Sequence, residues 1–142
     1  MIYLLSTQSL LDLLTGKANM EAWKKSTAAQ TIELSTVSIG QALNEINKLG
    51  NATTRTQLTD ALERLILSLK SYQGVVPFDE NASRIWVSLM GISLLHREGK
   101  PKVEVSSESR MVVATALARG AIYVDAKRPY HANISNLRVL SP

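Results

Sequence analysis

The sequence contains no cysteine, so neither a disulfide framework nor a thiolate metal site can form, and we expect a reducing compartment such as the cytoplasm. It also lacks a long apolar run. The longest, from Ile85 to Leu95, is interrupted by serines and a glycine and is too short to span a bilayer. The apolar start stops at Ser6 and has no basic residues, unlike a secretory signal. The sequence therefore predicts no membrane anchor.

What the chain does contain is typical of a globular protein: 45% of its 142 residues are hydrophobic and 20% are charged. We find no repeat, low-complexity tract or linker, so we expect residues 1–142 to form a single domain. The net charge of +4 favours acidic partners such as nucleic acid. The basic residues are scattered, however, and only Lys24-Lys25 and Lys127-Arg128 are adjacent, so a solvated basic surface is the simpler explanation of charge alone.

Short strands alternate with helical segments, which predicts an α/β fold with a mainly parallel central sheet of four to five strands flanked by helices. The predicted strands are Ile2–Leu5, Thr31–Ser38, Val75–Val76, Ile122–Val124 and Leu137–Val139. The predicted helices are Ser9–Leu14, Met20–Ala29, Ile39 to Gly50, Thr54–Tyr72, Asp79 to about His96, and one that Ser106 or Ser107 begins and Gly120 ends. Trp23 and Trp86 lie on helices among apolar residues, which indicates core packing.

Polar segments are expected at the edge of the sheet where the strands end. Ser6-Thr7-Gln8 follows the first strand, and Gln41 follows the second. Ser109 lies in the first turn of its helix, and residues 125–128 follow the strand Ile122–Val124. Ligands of parallel sheets bind in the crevice outside the carboxyl ends of the strands. We therefore expect these four segments to converge on one cleft.

Five motifs carry a family resemblance: IYLLSTQSLL at residues 2–11, LSTVSIGQ at 34–41, VPFD at 76–79, MVVATALARG at 111–120 and LRV at 137–139. Each is weak alone, but the ordered set spans almost the whole chain. It resembles the PIN-domain family, and most closely the VapC-type toxins of bacterial toxin–antitoxin systems. The resemblance implies a PIN-like fold, a homodimer, and a ribonuclease site in which acidic residues hold Mg²⁺ or Mn²⁺ and activate water.

Every position that corresponds to this acidic ring is altered. In the order of the chain, the altered positions are Ser6, Gln8, Gln41, Ser109 and Lys127. Serine and glutamine offer neutral oxygens, without the charge that offsets dehydration of a divalent ion. A lysine about 4 Å from such an ion would cost roughly 8 kcal/mol at an effective dielectric near 20. The sequence predicts no productive metal site, and hence no metal cofactor.

Two other chemistries remain open at this stage. Asp125 lies two residues before Lys127 and could restore a metal-competent site, with Glu108 as a further acid, in a divergent Mg²⁺- or Mn²⁺-dependent endoribonuclease. Ser6 or Ser109 beside Lys127 could form a nucleophile pair, although no nucleophile elbow or glycine-rich oxyanion loop accompanies them. With two histidines and no cysteine, a zinc site has too few ligands.

A phosphate-attracting rim is the remaining feature of the predicted cleft. Its candidate residues are Arg97, Lys100, Lys102, Arg110 and Arg128. The leading hypothesis is a catalytically degenerate PIN-like protein that acts by binding. Its partner would be RNA or DNA, an antitoxin-like protein, or a second copy of itself, with the helices Thr54–Tyr72 and Asp79 to His96 as candidate interface.

Overall fold

The computed structural model describes residues 1–96 and 103–142, which form five strands and six α-helices. The strands are β1 Tyr3–Leu5, β2 Ile32–Ser35, β3 Val75–Val76, β4 Ile122–Val124 and β5 Val139–Leu140. The helices are α1 Thr7–Leu14, α2 Ala18–Lys25, α3 Thr36–Asn47, α4 Ala52–Lys70, α5 Glu80–Met90 and α6 Ser107–Arg119. Short 3₁₀ turns occupy Ala29–Thr31 and Pro129–Asn133. The predicted α/β fold is confirmed.

The five strands form one parallel sheet in the order β3-β2-β1-β4-β5, with β1 at its centre. Tyr3 pairs with Ile32 on one side and with Ile122 on the other. Because all strands run the same way, the carboxyl ends of β1, β2 and β4 meet at one edge. This edge is where the polar segments were predicted to converge.

Successive residues of the central strands face opposite sides of the sheet, and each side has its own apolar core. Leu4 and Tyr123 face one cluster, which includes α5 and α6 residues. Leu5 and Val124 face the other, which includes residues of α1, α3 and α4. Trp86 packs against the first cluster and Trp23 against the second, so the predicted core packing of both tryptophans is confirmed. No helix in the described ranges is long and apolar enough to cross a membrane.

The predicted helix from Asp79 to His96 is wrong at its end, because α5 stops at Met90. Beyond it, the chain is extended: His96 N donates to Val103 O at 2.8 Å, and Val105 N donates to Leu94 O at 2.8 Å. Leu94 is fully buried in the first core cluster. Leu94 therefore packs into the core from an extended segment beyond the helix. The spacing of apolar residues alone does not distinguish such a segment from a continuing helix.

Other element ends differ by a few residues. The second strand was predicted to reach Ser38, but Ser35 is the N-cap of α3 and its hydroxyl accepts from Val37 N, so the helix begins before Ile39. The larger of the other differences are α2, which spans Ala18–Lys25 instead of Met20–Ala29, α4, which spans Ala52–Lys70 instead of Thr54–Tyr72, and β5, which spans Val139–Leu140 instead of Leu137–Val139. Ends of elements depend on single caps rather than on the apolar pattern.

Candidate functional site

Ser6 lies directly after the central strand β1 and is only 3% exposed. It is the N-cap of α1: its hydroxyl oxygen accepts from Ser9 N at 3.0 Å. The same hydroxyl donates to Asp125 Oδ1 at 2.9 Å. One small side chain thus caps a helix and bridges two strand ends, which a serine can do because it both donates and accepts.

Asp125 directly follows β4 and is 3% exposed. Besides Ser6, it contacts His131 Nε2 at 3.0 Å and Tyr130 Oη at 3.5 Å through Oδ2. The backbone amide of Arg128 donates to His131 Nδ1 at 3.3 Å, so Nδ1 carries no proton and Nε2 donates to the carboxylate. Burial, followed by the charge of Asp125, raises the pKa of Tyr130. Both carboxylate oxygens are therefore already engaged.

Gln41 lies in the second turn of α3, next to Thr7 of α1. Thr7 Oγ1 lies 2.5 Å from Gln41 Oε1 and 3.2 Å from Ser38 Oγ, so α1 and α3 are joined through hydroxyl and amide groups. Gln8 turns toward its own helix, where its Nε2 donates to Asp12 Oδ1 at 2.9 Å. The amide oxygen of Gln41 is thus occupied, and its amide nitrogen is left as a donor.

These segments border a cleft of about 730 Å³. The residues that line it are Thr7, Gln8, Leu11, Thr36, Val37, Gly40, Gln41, Asn44, Glu45, His96, Glu108, Ser109 and Arg128. Four predicted site residues, Gln8, Gln41, Ser109 and Arg128, therefore meet in one concavity, and the segment containing Ser6 meets it through Thr7.

Lys127 is placed differently from the other predicted site positions. It is exposed and lines an adjoining concavity with His131 and Val139, which shares Arg128 with the cleft. Lys127 does not line the cleft beside Ser109, so the predicted nucleophile pair is not assembled there. Glu108, the further acid of the alternative metal site, does line the cleft. Asp79, at the start of the predicted fifth helix, caps α5 by accepting from Ala82 N at 2.9 Å.

Arg110 is the clearest correction to the predicted rim. It is 5% exposed, and its guanidinium donates to Val105 O at 3.0 Å, to Ile92 O at 2.7 Å and to Glu104 Oε2 at 2.8 Å. A further bond to Leu89 O makes it a cap for the carboxyl end of α5. These bonds leave it no role in attracting phosphate. Arg97, Lys100 and Lys102 lie outside the described residues, so Arg128 is the rim candidate that the described cleft retains.

The donor set does not fit a divalent metal. Within residues 1–96 and 103–142, no group of three or more His, Cys, Asp or Glu side chains is placed to hold an ion. The altered ring positions supply Ser6, Gln8, Gln41 and Ser109, whose oxygens are neutral. Mg²⁺ and Mn²⁺ need anionic oxygen ligands close together, and the carboxylates of Asp125, Glu45 and Glu108 do not form such a group.

The hydrogen bond between Asp125 and His131 was not predicted from the sequence. Pro129 begins the 3₁₀ turn that folds His131 back under Asp125. Proline at the first position of a helical turn is a recognised start signal, and Asp125 stands just before it in the chain. A proline shortly after Asp125 was therefore the sequence feature that could have indicated the hydrogen bond between Asp125 and His131.

A further concavity lies between α1, α2 and α4. Two adjoining cavities of about 470 and 260 Å³ share Leu13, Lys24, Ala61 and Leu65. We call this surface the leucine groove. Its edges carry basic residues, namely Lys24, Lys25 and Arg64, with Glu21 as the acidic exception. Sequence reasoning missed it because a groove depends on how helices pack, which periodicity does not specify.

No family model matches the chain, and no curated protein matches it as a relative. Solved structures do match it over nearly its full length. DNA-bound VapBC from Salmonella typhimurium matches with a TM-score of 0.76 and 16% identity, covering 99% of this chain and 98% of that chain. FitAcB from Neisseria gonorrhoeae matches with a TM-score of 0.74 and 18% identity, covering 98% and 96%.

VapBC2 from Rickettsia felis, bound to a DNA fragment from the promoter, matches with a TM-score of 0.70 and 15% identity, covering 100% of this chain and 99% of that chain. These TM-scores establish the fold, and identities of 15–18% leave the chemistry to be argued from the residues themselves. The fold implied by the five sequence motifs is confirmed: the chain has a VapC-like PIN fold.

Proposed function

We propose that this protein is a catalytically degenerate PIN-like protein that acts by binding an antitoxin-like partner and does not hydrolyse RNA with a metal ion. The observation that carries the proposal is the state of Asp125. It is the buried carboxylate at the carboxyl end of β4, and both of its oxygens are held, one by Ser6 and one by His131 and Tyr130.

Recruiting Asp125 to a metal would disrupt this arrangement. The ion would compete with the donors that now satisfy the carboxylate, and breaking a buried charged hydrogen bond is expensive. Glu108 and Glu45 also line the cleft, but Glu45 pairs with Lys48 at 3.0 Å and Glu108 is exposed in the first turn of α6. The alternative, a divergent Mg²⁺- or Mn²⁺-dependent endoribonuclease, would have to assemble its site from these carboxylates.

RNA cleavage and thermal melting with Mn²⁺ or Mg²⁺ test the proposal together. A metal at about a hundred times its dissociation constant would stabilise the fold by roughly 2.7 kcal/mol. We expect no such shift and no cleavage that EDTA abolishes. The matched control is Asp125→Asn, which keeps the size of the side chain. EDTA-sensitive cleavage that this variant loses would establish the enzyme and end the proposal.

A positive control for the assay is the variant with Ser6→Asp, Gln41→Glu, Ser109→Asp and Lys127→Asn together. These changes restore acidic or polar side chains at the altered ring positions. Metal binding by this variant would show that the assay detects a site on this fold. The natural chain should still show none under the same conditions.

The leucine groove supports a protein partner. It is apolar at its base, through Leu13, Leu14 and Leu65, and basic at its edge, through Lys24 and Arg64. Such a surface suits an apolar segment flanked by acidic residues. Several structures with this fold are VapBC complexes, and one is a toxin–antitoxin complex from Klebsiella pneumoniae, which supports an antitoxin-like protein as the occupant.

Calorimetric titration with the product of the neighbouring gene tests this assignment. Leu65→Lys places a charge inside the groove and should weaken binding at least tenfold, since an unpaired charge would be buried at the interface. Leu67→Lys is the matched control because Leu67 is 73% exposed on the same helix and lines neither cavity. Equal affinities for the two variants would exclude the groove as the docking surface.

The predicted homodimer remains part of the proposal. Val87 and Met90 of α5 are 64% and 46% exposed, and Ile92 just beyond the helix is 43% exposed. These apolar side chains support α5 as interface material, as the resemblance implied. Light scattering after size-exclusion chromatography should give twice the chain mass, and Val87→Lys should return the monomer. We expect the complex to act in the cytoplasm, since the chain has no cysteine.

A further inference from the structure

The cleft presents hydrogen-bond donors where a metal-binding ring would present anionic acceptors. We propose that it binds a phosphate group of single-stranded RNA directly, without a metal ion, through the guanidinium of Arg128 and the amide of Gln41. This rests on the proposed function, because a cleft that retained a divalent ion would bind phosphate through that ion.

Arg128 lies in the cleft wall with a side chain that is 26% exposed. Its Nε is buried and has no hydrogen-bond partner, and it is the only buried side-chain nitrogen or oxygen in that condition among residues 1–96 and 103–142. The nearest carboxylate oxygen, Asp125 Oδ2, is 3.9 Å away, beyond hydrogen-bonding distance. A partly exposed guanidinium with an unpaired donor, whose one nearby carboxylate is not hydrogen-bonded to that donor, is suited to a phosphate, which accepts charged hydrogen bonds from such a group.

Gln41 and Ser109 contribute neutral donors to the same cleft. Thr7 occupies the amide oxygen of Gln41, which leaves the amide nitrogen to donate. Ser109 Oγ lies 3.0 Å from Ser106 Oγ, and its hydroxyl borders the cleft. The altered ring positions in the cleft thus carry neutral side chains that can donate hydrogen bonds to an anion, whereas carboxylates there would repel one.

Three helices begin at the cleft, and the amino ends of two of them favour a bound anion. First-turn residues of α1, α3 and α6 all line the cleft, and α1 and α3 have no acidic residue in their first turns. Helix amino ends carry partial positive charge. Glu108, in the first turn of α6, opposes an anion, whereas Glu45 is paired with Lys48 at 3.0 Å. The cleft therefore suits one phosphate near Arg128, and removing the charge of Glu108 should strengthen binding.

Fluorescence anisotropy with a labelled single-stranded RNA in EDTA tests the proposal. We expect binding that weakens with added salt, as phosphate contacts require. Arg128→Gln should weaken it at least about tenfold, the effect of losing a charged hydrogen bond. Glu108→Gln should tighten it. Competition with inorganic phosphate distinguishes a free phosphate ion from the phosphate of an RNA chain as the ligand. If millimolar phosphate displaces the RNA, the site also binds the free ion. If the RNA stays bound, the site requires the RNA chain.

Gly40 offers a matched pair of variants that leaves the proposed ligands in place. Nothing lies within 4 Å of a Cβ built on Gly40, which lines the cleft from α3. Gly40→Glu and Gly40→Gln add side chains of the same size, but only Glu adds negative charge, so Glu should weaken RNA binding more. Equal binding by this pair, or unchanged binding by Arg128→Gln, would overturn the inference while leaving the proposed function intact. Binding that requires Mn²⁺ would overturn both.

Discussion

Replacing Ser6 by aspartate tests whether Asp125 is a charged, buried group at the end of the sheet. The serine hydroxyl lies 2.9 Å from Asp125 Oδ1, and both residues are 3% exposed. An aspartate at position 6 would place two carboxylates about 4 Å apart, which costs about 4 kcal/mol at an effective dielectric near 20. The capping of α1 would persist, because aspartate caps helices as well as serine does.

The repulsion between the two carboxylates should depend on pH, because it disappears when one of the two carboxyl groups keeps its proton. Its pKa in the folded state would then lie above its unfolded value. A group of this kind stabilises the fold fully below the unfolded pKa, and that stabilisation is lost as the pH rises through the folded pKa. The loss has a maximum slope of about 1.4 kcal/mol per pH unit.

Urea unfolding between pH 4 and pH 8 measures the effect against Ser6→Asn, which keeps a capping oxygen and a donor to Asp125 but adds no charge. At pH 7 we expect Ser6→Asp to be less stable than Ser6→Asn by about 2–4 kcal/mol, with the difference shrinking toward pH 4. Mn²⁺ should narrow the difference at pH 7, since two adjacent carboxylates attract a cation. A difference that is absent, or equal at both ends of the pH range, would refute the placement of Asp125.

Three further changes probe other parts of the fold. Gly74→Ala would place its Cβ 2.6 Å from a ring carbon of Tyr72 and should lower the free energy of unfolding by about 1–3 kcal/mol in chemical denaturation. Gly40→Ala meets nothing within 4 Å and should raise it by about 0.5–1 kcal/mol, so a loss there would contradict the open cleft wall. Hydrogen bonds to the Glu104 carboxylate, of which that from Ser93 has the largest effect, lower the pKa of Glu104. The stability that this carboxylate adds to the fold is therefore present above its unfolded pKa, near 4.5, and is lost as the pH falls below that value. Glu104→Gln should flatten the acid limb of a pH–melting profile, and an unchanged limb would count against these bonds.

The features that were predictable from the sequence are those decided within a few residues. Asp79 caps α5 and Ser106 caps α6, each by accepting from the amide three residues later. Gly120 ends α6 with φ +62°, the left-handed conformation expected of a glycine at that place. The alternation of strands and helices likewise gives a parallel sheet, which in turn places the polar segments at one edge.

The features that were not predictable depend on partners far apart in the chain. Ser6 and Asp125 are 119 positions apart, and neither residue type signals that it will meet the other. Arg110 looked like a surface cation, yet it caps the end of α5 from inside the fold. A basic residue in the first turn of a helix gives no sign of whether its guanidinium faces solvent or another helix. Packing decides it.

The position of β1 has a consequence for the chain while it is being made. β1 is the central strand, but its two neighbours are distant in the sequence: β2 begins at Ile32, whereas β4 begins at Ile122. At about 5–20 residues per second, roughly 5 to 20 seconds separate the synthesis of the two. During that interval one edge of β1 has no partner strand, so its backbone N–H and C=O groups can pair with a strand of another nascent chain. The order of synthesis therefore sets how long this edge of the central strand stays unpaired.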